Sequence, residues 1–349
     1  MADPTLSTRQ LNRTLLERQH LLERSTRPLP RVVEDMGGIQ MQYAPAGYIA
    51  LWSRMQDFDR PMLTLALERR EVVQATLLRA TIHTVSAADY WPMMAGIRRI
   101  NREWYEKVQR AELAGIDMEG AAAAVRDLLQ SGPIRIGDLV AALASRGFPE
   151  RAAKSVGLWV DLVRVPPSGT WERRRADLYG LADTWVPGAE PTEEEGMALL
   201  VRRYLGAFGP AAVRDIANWM GMNIGQMRHV LDGLDLRRYR DPAGKPLVDL
   251  PELAPADEDA EAPPRFLGVW DAMLLVHARR ADVLPEAYRP SVFNVRTPHS
   301  VNTFLLDGQV AGTWRFEEGA ISLAPFRPLR APERVALDEE AHRLVGFHA

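Results

Sequence analysis

The sequence predicts a mainly α chain with small β elements, an α+β protein of three tandem helix–hairpin units and a β-rich C-terminal region. Three observations predict it. Gly132-Pro133 is followed after four residues by Asp138-Leu139, and Gly209-Pro210 after four by Asp215-Ile216; further on, Asp161-Leu162-Val163-Arg164 matches Asp235-Leu236-Arg237-Arg238. Such internal similarity marks repeated supersecondary units. Short apolar segments bounded by Pro or Gly precede runs that suit hairpin strands. From residue 265 onward the pattern changes to short strands around Asp307-Gly308, a step favoured in two-residue hairpins.

The first unit covers residues 1–117. A helix is expected over 6–24, where Leu11, Leu15 and Leu22 recur at near-helical spacing. Three further segments, 30–36, 48–56 and 61–70, precede strands at 72–77 and 81–85 and a helix over 87–108. Three helices followed by a two-stranded wing describe a winged helix. The second unit spans 118–190, with a wing that includes Trp171, Arg173, Arg174 and Arg175. The third spans 191–250, and its wing carries Arg237, Arg238 and Arg240 around Tyr239. Arginine and an aromatic on a wing suit phosphate contact and groove insertion. Residues 251–264 (PELAPADEDAEAPP) are acidic and proline-rich and read as a linker. Region 265–349 holds strands at 265–269, 301–306, 309–316 and 320–326, a short helix over 272–276 and a last helix over 332–344. Asp271 suits the N-cap of that short helix, or a supporting carboxylate for a positively charged transition state.

Composition narrows the function classes. The 349 residues are 46% hydrophobic and 26% charged, a globular balance that allows about two or three domains. No apolar run approaches a membrane span, and the first residues lack the basic-then-apolar pattern of a secretion signal, so a soluble, cytoplasmic protein is expected. The absence of Cys removes thiol catalysis and thiolate zinc sites, and the seven His show no metal-binding spacing, so neither metal nor cofactor is expected. A net charge of −3 argues against polyanion binding over the whole surface. Arginines nevertheless cluster at 98, 99 and 102, at 173–175, at 202–203, at 237, 238 and 240, and at 279–280; each cluster is a local phosphate footprint or a solvated face.

The stretch that suggests chemistry is Gly37-Gly38-Ile39-Gln40-Met41-Gln42-Tyr43. In an extended backbone alternate side chains share a face, so Gln40 and Gln42 point together while Ile39 and Met41 turn into the packing. The glycine pair punctuates the preceding helix, and Pro45 disfavours helix at Ala44. Two amides can grip one small molecule such as water; the bland alternative is a polar loop that caps neighbouring helices. Arg79, Thr81 and His83 alternate on a predicted strand and so share a face, with Arg79 on phosphate and His83 in support, or with His83 satisfied by backbone. Tyr43 and Trp52 read as core residues.

These stretches, with Leu51-Trp52-Ser53-Arg54, the run from Arg79 to Tyr90 (RATIHTVSAADY) and Asp307-Gly308-Gln309-Val310-Ala311-Gly312-Thr313-Trp314-Arg315, resemble the winged-helix DNA glycosylases of the AlkZ and YcaQ type. The resemblance spans nearly the whole chain. It implies three tandem winged helices with a β-rich C-terminal region, a monomer, and double-stranded DNA with alkylated purines as partner. The implied activity is hydrolysis of the N-glycosidic bond of bulky N7-alkylated purines, including crosslinks made by DNA-alkylating natural products. General repair and self-resistance in a producer of such compounds both stay open. The family's glutamine motif maps onto Gln40 and Gln42; the YcaQ-like branch carries Asp at the second position. An N7-alkylated purine is cationic and leaves without prior protonation, so positioning water under C1′ suffices, and amides can do that without acting as bases. No lysine lies near the motif along the chain, Lys107 being nearest, so strand cleavage by Schiff-base chemistry is not expected. Candidate DNA-binding residues are Arg54, Arg79, Arg173, Arg174, Arg175, Arg237, Arg238 and Arg240. The competing class is a non-catalytic winged-helix regulator, motivated by the same repeats and wings.

Overall fold

The computed structural model describes residues 3–275, 280–293 and 300–348. Its elements run in order as α1 (Thr8–Arg18), α2 (Leu29–Asp35), β1 (Ile39–Gln40), α3 (Ala44–Arg54), α4 (Arg60–Glu68), β2 (Val72–Thr76), β3 (Ile82–Ser86), α5 (Ala87–Val108) and α6 (Arg110–Leu113). Next come α7 (Met118–Leu129), β4 (Ile134–Arg135), α8 (Ile136–Ser145), α9 (Glu150–Ser155), β5 (Leu162–Arg164), β6 (Leu178–Leu181) and α10 (Ala182–Trp185). Then follow α11 (Glu193–Phe208), α12 (Val213–Met220), α13 (Ile224–Asp232), β7 (Arg237–Arg240) and β8 (Pro246–Asp249). The chain closes with β9 (Arg265–Leu267), α14 (Arg289–Val292), β10 (Thr303–Leu306), β11 (Gln309–Glu317), β12 (Ala320–Pro325) and α15 (Ala331–His348). The architecture is mixed α/β, with several small antiparallel sheets.

Local chemistry sets these boundaries. Ser7, Asp59, Ser86, Asp117 and Asn223 each accept a backbone N–H at a helix start, and Thr192 with Glu195 forms a capping box on α11. The first helix stops at Arg18, short of the expected 24, because the chain turns at His20 with φ 53. Helix α3 begins at Ala44 despite Pro45, since proline in a first turn gives up only an N–H that has no intrahelical acceptor. All of α3 is buried.

The first two hairpins do not stand apart. Strand β5 pairs with β2 through Gln74 opposite Arg164 and Ala75 opposite Val163, which joins them into one six-stranded sheet ordered β1-β3-β2-β5-β6-β4. The 170–175 stretch, expected on a wing, lies in the irregular connection between the antiparallel strands β5 and β6. Trp171 draws this connection inward, packing edge-on to Tyr48 at 5.7 Å between ring centres. Strands β7 and β8 form a separate pair, beside which the N-terminus lies: Leu6 N donates to Arg240 O and Arg240 N to Pro4 O, both at 2.9 Å. A four-stranded sheet, β12-β11-β10-β9, ends the chain. Its β10–β11 turn has the expected character, with φ of 48 at Asp307 and 77 at Gly308. Apolar residues of α3, this sheet and α15 share one core cluster, including Tyr48, Phe266, Phe304, Trp314 and Leu344.

Residues 251–264 carry no helix or strand, yet they are tied to α1. Ser7 Oγ donates to Glu258, Arg9 Nε to Glu258 O, Arg13 Nε to Ala260 O, and Ala256 N to Thr14 Oγ1. The expected helix over 272–276 is a short 3-10 turn, Ala272–Leu274, capped by Asp271, and Val276 lies outside the described residues. No helix among the described residues is long and apolar enough to cross a membrane.

Candidate active site

The glutamine stretch is placed by what precedes and underlies it. Gly37 and Gly38 end α2 with φ of +72 and +85, and their N–H groups close back onto Glu34 O and Val33 O. A side chain at Gly38 would come within 3.0 Å of Val85. The chain then enters β1 beside β3, Ile39 opposite Thr84 and Gln40 opposite His83, and Met41 N donates to Ile82 O at 2.8 Å. Ile39 and Met41 are buried, while Gln40 is half-buried and Gln42 exposed, as the alternation requires. Met41 fits against Gly47, where any side chain would collide with its sulfur.

Each amide is held through its oxygen. Arg79 Nη2 donates to Gln40 Oε1 at 3.2 Å while its Nη1 donates to Trp219 O at 2.6 Å. Ile82 N donates to Gln42 Oε1 at 2.9 Å. Each oxygen keeps a second lone pair, and neither amide nitrogen donates to another group among the described residues. Arg79 reaches Gln40 from a left-handed turn, with φ 53, rather than from the strand, so the predicted alternation of Arg79 with His83 is corrected. Burial lowers the Arg79 guanidinium to about 10. His83 is buried, its Nδ1 3.1 Å from Thr81 O and 3.3 Å from Thr81 Oγ1. Burial first, then the charge on Arg79, lowers it to about 3. The neutral ring therefore donates Nδ1–H to the Thr81 carbonyl, a structural bond. The site holds amides fixed in orientation, with no side chain beside them that titrates near neutral pH.

Gln42 stands between two clefts. One, of about 550 Å³, is aromatic: Tyr43, Trp171, Trp270, Trp314 and Phe316 line it, and His348 stacks on Phe316 at 4.2 Å. Trp270 takes a left-handed backbone, φ 56. Burial first, then the charges of Arg60 and Arg174, lower His348 to about 4, so it is neutral. Arg174 donates to Tyr43 Oη at 2.9 Å at the rim. The other cleft, of about 300 Å³, is lined by Gln42, Tyr105, Lys154, Ser155, Arg164 and Tyr179 among others. Neither cleft has an Asp or Glu among its described lining residues.

The structure thus brings together Gln40, Gln42, Arg79, Thr81, His83 and Arg174. It removes Arg54 and Asp271 from the candidate list: Arg54 is fully buried and gives Nη1 and Nη2 to the two oxygens of Asp271 at 2.9 and 2.8 Å. That carboxylate also caps Met273 N, so neither group is available to DNA or to a sugar cation. Arg173 and Arg175 are exposed on the same loop as Arg174. Arg237, Arg238 and Arg240 are exposed on the separate β7–β8 pair, where Arg237 donates to Tyr239 Oη and Arg240 to Gly244 O. Arg98, Arg99 and Arg102 are paired with Asp161, Glu190, Glu193, Glu103, Glu106 and Glu119, and Arg203 with Glu34 and Asp89, so these clusters are ion-pair networks. Arg279, His277, His299 and most of the 285–299 loop's second half lie outside the described residues, as does the Arg280 side chain. Trp52 is core, as expected, but Tyr43 is 40% exposed and faces the aromatic cleft. Sequence distance concealed Lys154, which shares a cleft with Gln42 and is ion-paired to Glu150 at 2.6 Å. It also concealed Arg164, although the Asp-Leu-x-Arg repeat had drawn attention to that position. Among the described residues no group of three or more His, Asp or Glu could hold a metal ion.

Comparison with known proteins gives a consistent picture. The family model described as DNA glycosylase AlkZ-like matches residues 33–347. A curated relative, the interstrand DNA cross-link repair glycosylase of Streptomyces sahachiroi, is 21% identical over 96% of this chain and 95% of its own length. The solved structure of Streptomyces sahachiroi DNA glycosylase AlkZ superposes with a TM-score of 0.82 at 20% identity, covering 98% of this chain and 96% of that one.

Proposed function

Since the chain belongs to the AlkZ-like DNA glycosylase family, we propose that it hydrolyses the N-glycosidic bond of bulky N7-alkylated purines in duplex DNA, with water positioned by Gln40 and Gln42. The observation that carries this reading is the state of the two amides. Their oxygens are pinned by Arg79 and by Ile82 N–H, each amide keeps hydrogen-bonding capacity, and Gln42 lines a cleft roomy enough for a purine with a large substituent. Held amides lower the barrier by fixing the geometry of attack, and a cationic leaving group needs no acid. The aromatic cleft receives the departing base, stacked on flat side chains. The three helix–hairpin units at 1–117, 118–190 and 191–250 act as winged helices along the duplex, with Arg173, Arg174, Arg175, Arg237, Arg238 and Arg240 toward phosphate. Segment 251–264 connects them to the C-terminal region, 265–349. The Streptomyces relative is an interstrand DNA cross-link repair glycosylase, and crosslink unhooking belongs to the same reading because an open cleft does not require a fully extruded nucleotide. The reaction is monofunctional: the Lys154 ammonium is engaged by Glu150, and borohydride should trap no covalent adduct.

The test incubates duplex DNA carrying an N7-alkylguanine with the protein and then with alkali. Cleavage at the lesion that disappears in Gln40→Ala/Gln42→Ala supports the proposal. Retained binding without base release from several N7 adducts would favour the non-catalytic regulator.

A further inference from the structure

Among the described residues five arginines are buried: Arg13, Arg18, Arg54, Arg164 and Arg265. Four have a carboxylate within 4.0 Å, namely Asp307, Asp249, Asp271 and Glu340 in that order. Arg164 has none among the described residues. Its hydrogen bond is a long one, from Nη2 to Tyr179 Oη at 3.4 Å, and its Cζ lies 4.8 Å from the Tyr179 ring centre. Nearby Asp161 is taken by Arg98, which approaches both its oxygens. A cation withdrawn from water without a counter-charge is costly, and stacking on one tyrosine offsets only part of that.

The position of Arg164 explains what the missing partner is. It lines the smaller cleft together with Gln42, and among the described residues no acidic side chain lines that cleft. Through β2 and β3 its strand is hydrogen-bonded to β1 in a register that sets Arg164, Gln74, Thr84 and Ile39 on one face and Gln40 on the other, so the glutamine that shares its cleft is Gln42. Tyr179 fixes the plane of the guanidinium, leaving Nη1 without a protein acceptor and a fork suited to phosphate oxygens. We infer that Arg164 is a positioning residue that binds one backbone phosphate of the DNA strand whose damaged base lies beside Gln42. This rests on the glycosylase reading above for the identity of the strand.

The test uses the full chain and a duplex with a tetrahydrofuran abasic analogue, which has no base to release, so binding is read independently of base excision. Arg164→Met should weaken binding about tenfold and reduce the slope of log K against log salt by about one, whereas Arg164→Lys should retain the slope. A neutral methylphosphonate is then moved along the strand. At one phosphate it should cost the wild type about tenfold and cost Arg164→Met almost nothing further, as expected for one charge-assisted contact. That non-additivity identifies the DNA backbone, and not free phosphate, as the ligand. Unchanged binding and slope in Arg164→Met, or fully additive losses, overturn the inference even if the wild type excises bases. If thermal melting shows that Arg164→Met does not fold, the scan is run on the uncharged Arg164→Gln, and a methylphosphonate cost equal to that of the wild type at every position overturns it. Absence of base release with the non-additivity intact would instead overturn the glycosylase reading alone.

Discussion

Arg54 and Arg164 are both withdrawn from solvent, at 0% and 7% exposure, and their surroundings differ in one respect. On the interior side of α3, Arg54 meets Asp271 in a two-point ion pair, with Ala50 O as a third acceptor. In the cleft beside Gln42, Arg164 meets an aromatic ring and no carboxylate. Gln42 follows the second pattern: its oxygen is anchored and its nitrogen is open in the same cleft. Where the protein satisfies charge internally the residue supports the fold, and where it leaves capacity unused beside a cleft the residue is available to a ligand.

This contrast can be broken at several points. Arg54→Met strands the Asp271 carboxylate in the interior and should cost about 3–5 kcal/mol in denaturant unfolding, with base release per folded molecule retained. Gln40→Ala/Gln42→Ala should do the reverse, lowering the single-turnover rate by about 10²-fold or more with little change in melting temperature. Arg79→Met releases the Gln40 amide from its anchor and should slow base release by about tenfold, mostly in the saturated rate rather than in half-saturation. The smallest effect concerns pH. His83 at about 3, His348 at about 4 and Arg79 at about 10 leave nothing to titrate in the site between about pH 5 and pH 9, so the rate should be level there. A bell-shaped profile centred near neutrality would point to a general base and remove the amide mechanism. Stability behaves differently: with its folded pKa depressed, neutral His83 contributes fully above its unfolded value of 6.5 and that contribution is lost as pH falls toward 3.

The alternation that aligns Gln40 with Gln42, the Asp307-Gly308 hairpin and the capped helix starts are local effects, and the sequence made them legible. What the sequence withheld depends on contacts between distant residues. Arg54 looked like a surface cation because its partner, Asp271, lies 217 positions away. Arg79 was assigned to a strand because nothing in Leu78-Arg79-Ala80 announces a left-handed turn by two non-glycine residues. That the loop of Trp171 approaches Gln42 rests on the packing of Tyr48 against Trp171, which brings Arg174 to the same cleft. The tie of 251–264 to α1 likewise rests on side chains of Ser7, Arg9 and Arg13 that pattern alone does not direct.

The junction between β2 and β5 also makes the molecule a ruler. From β1 to β5 there are three strand spacings, about 14 Å in all, set by backbone hydrogen bonds that side-chain substitutions scarcely alter. If Arg164 binds phosphate as proposed, the lesion and that phosphate would be gauged against this fixed interval, and the nucleic acid, with its adjustable helical path, would have to conform.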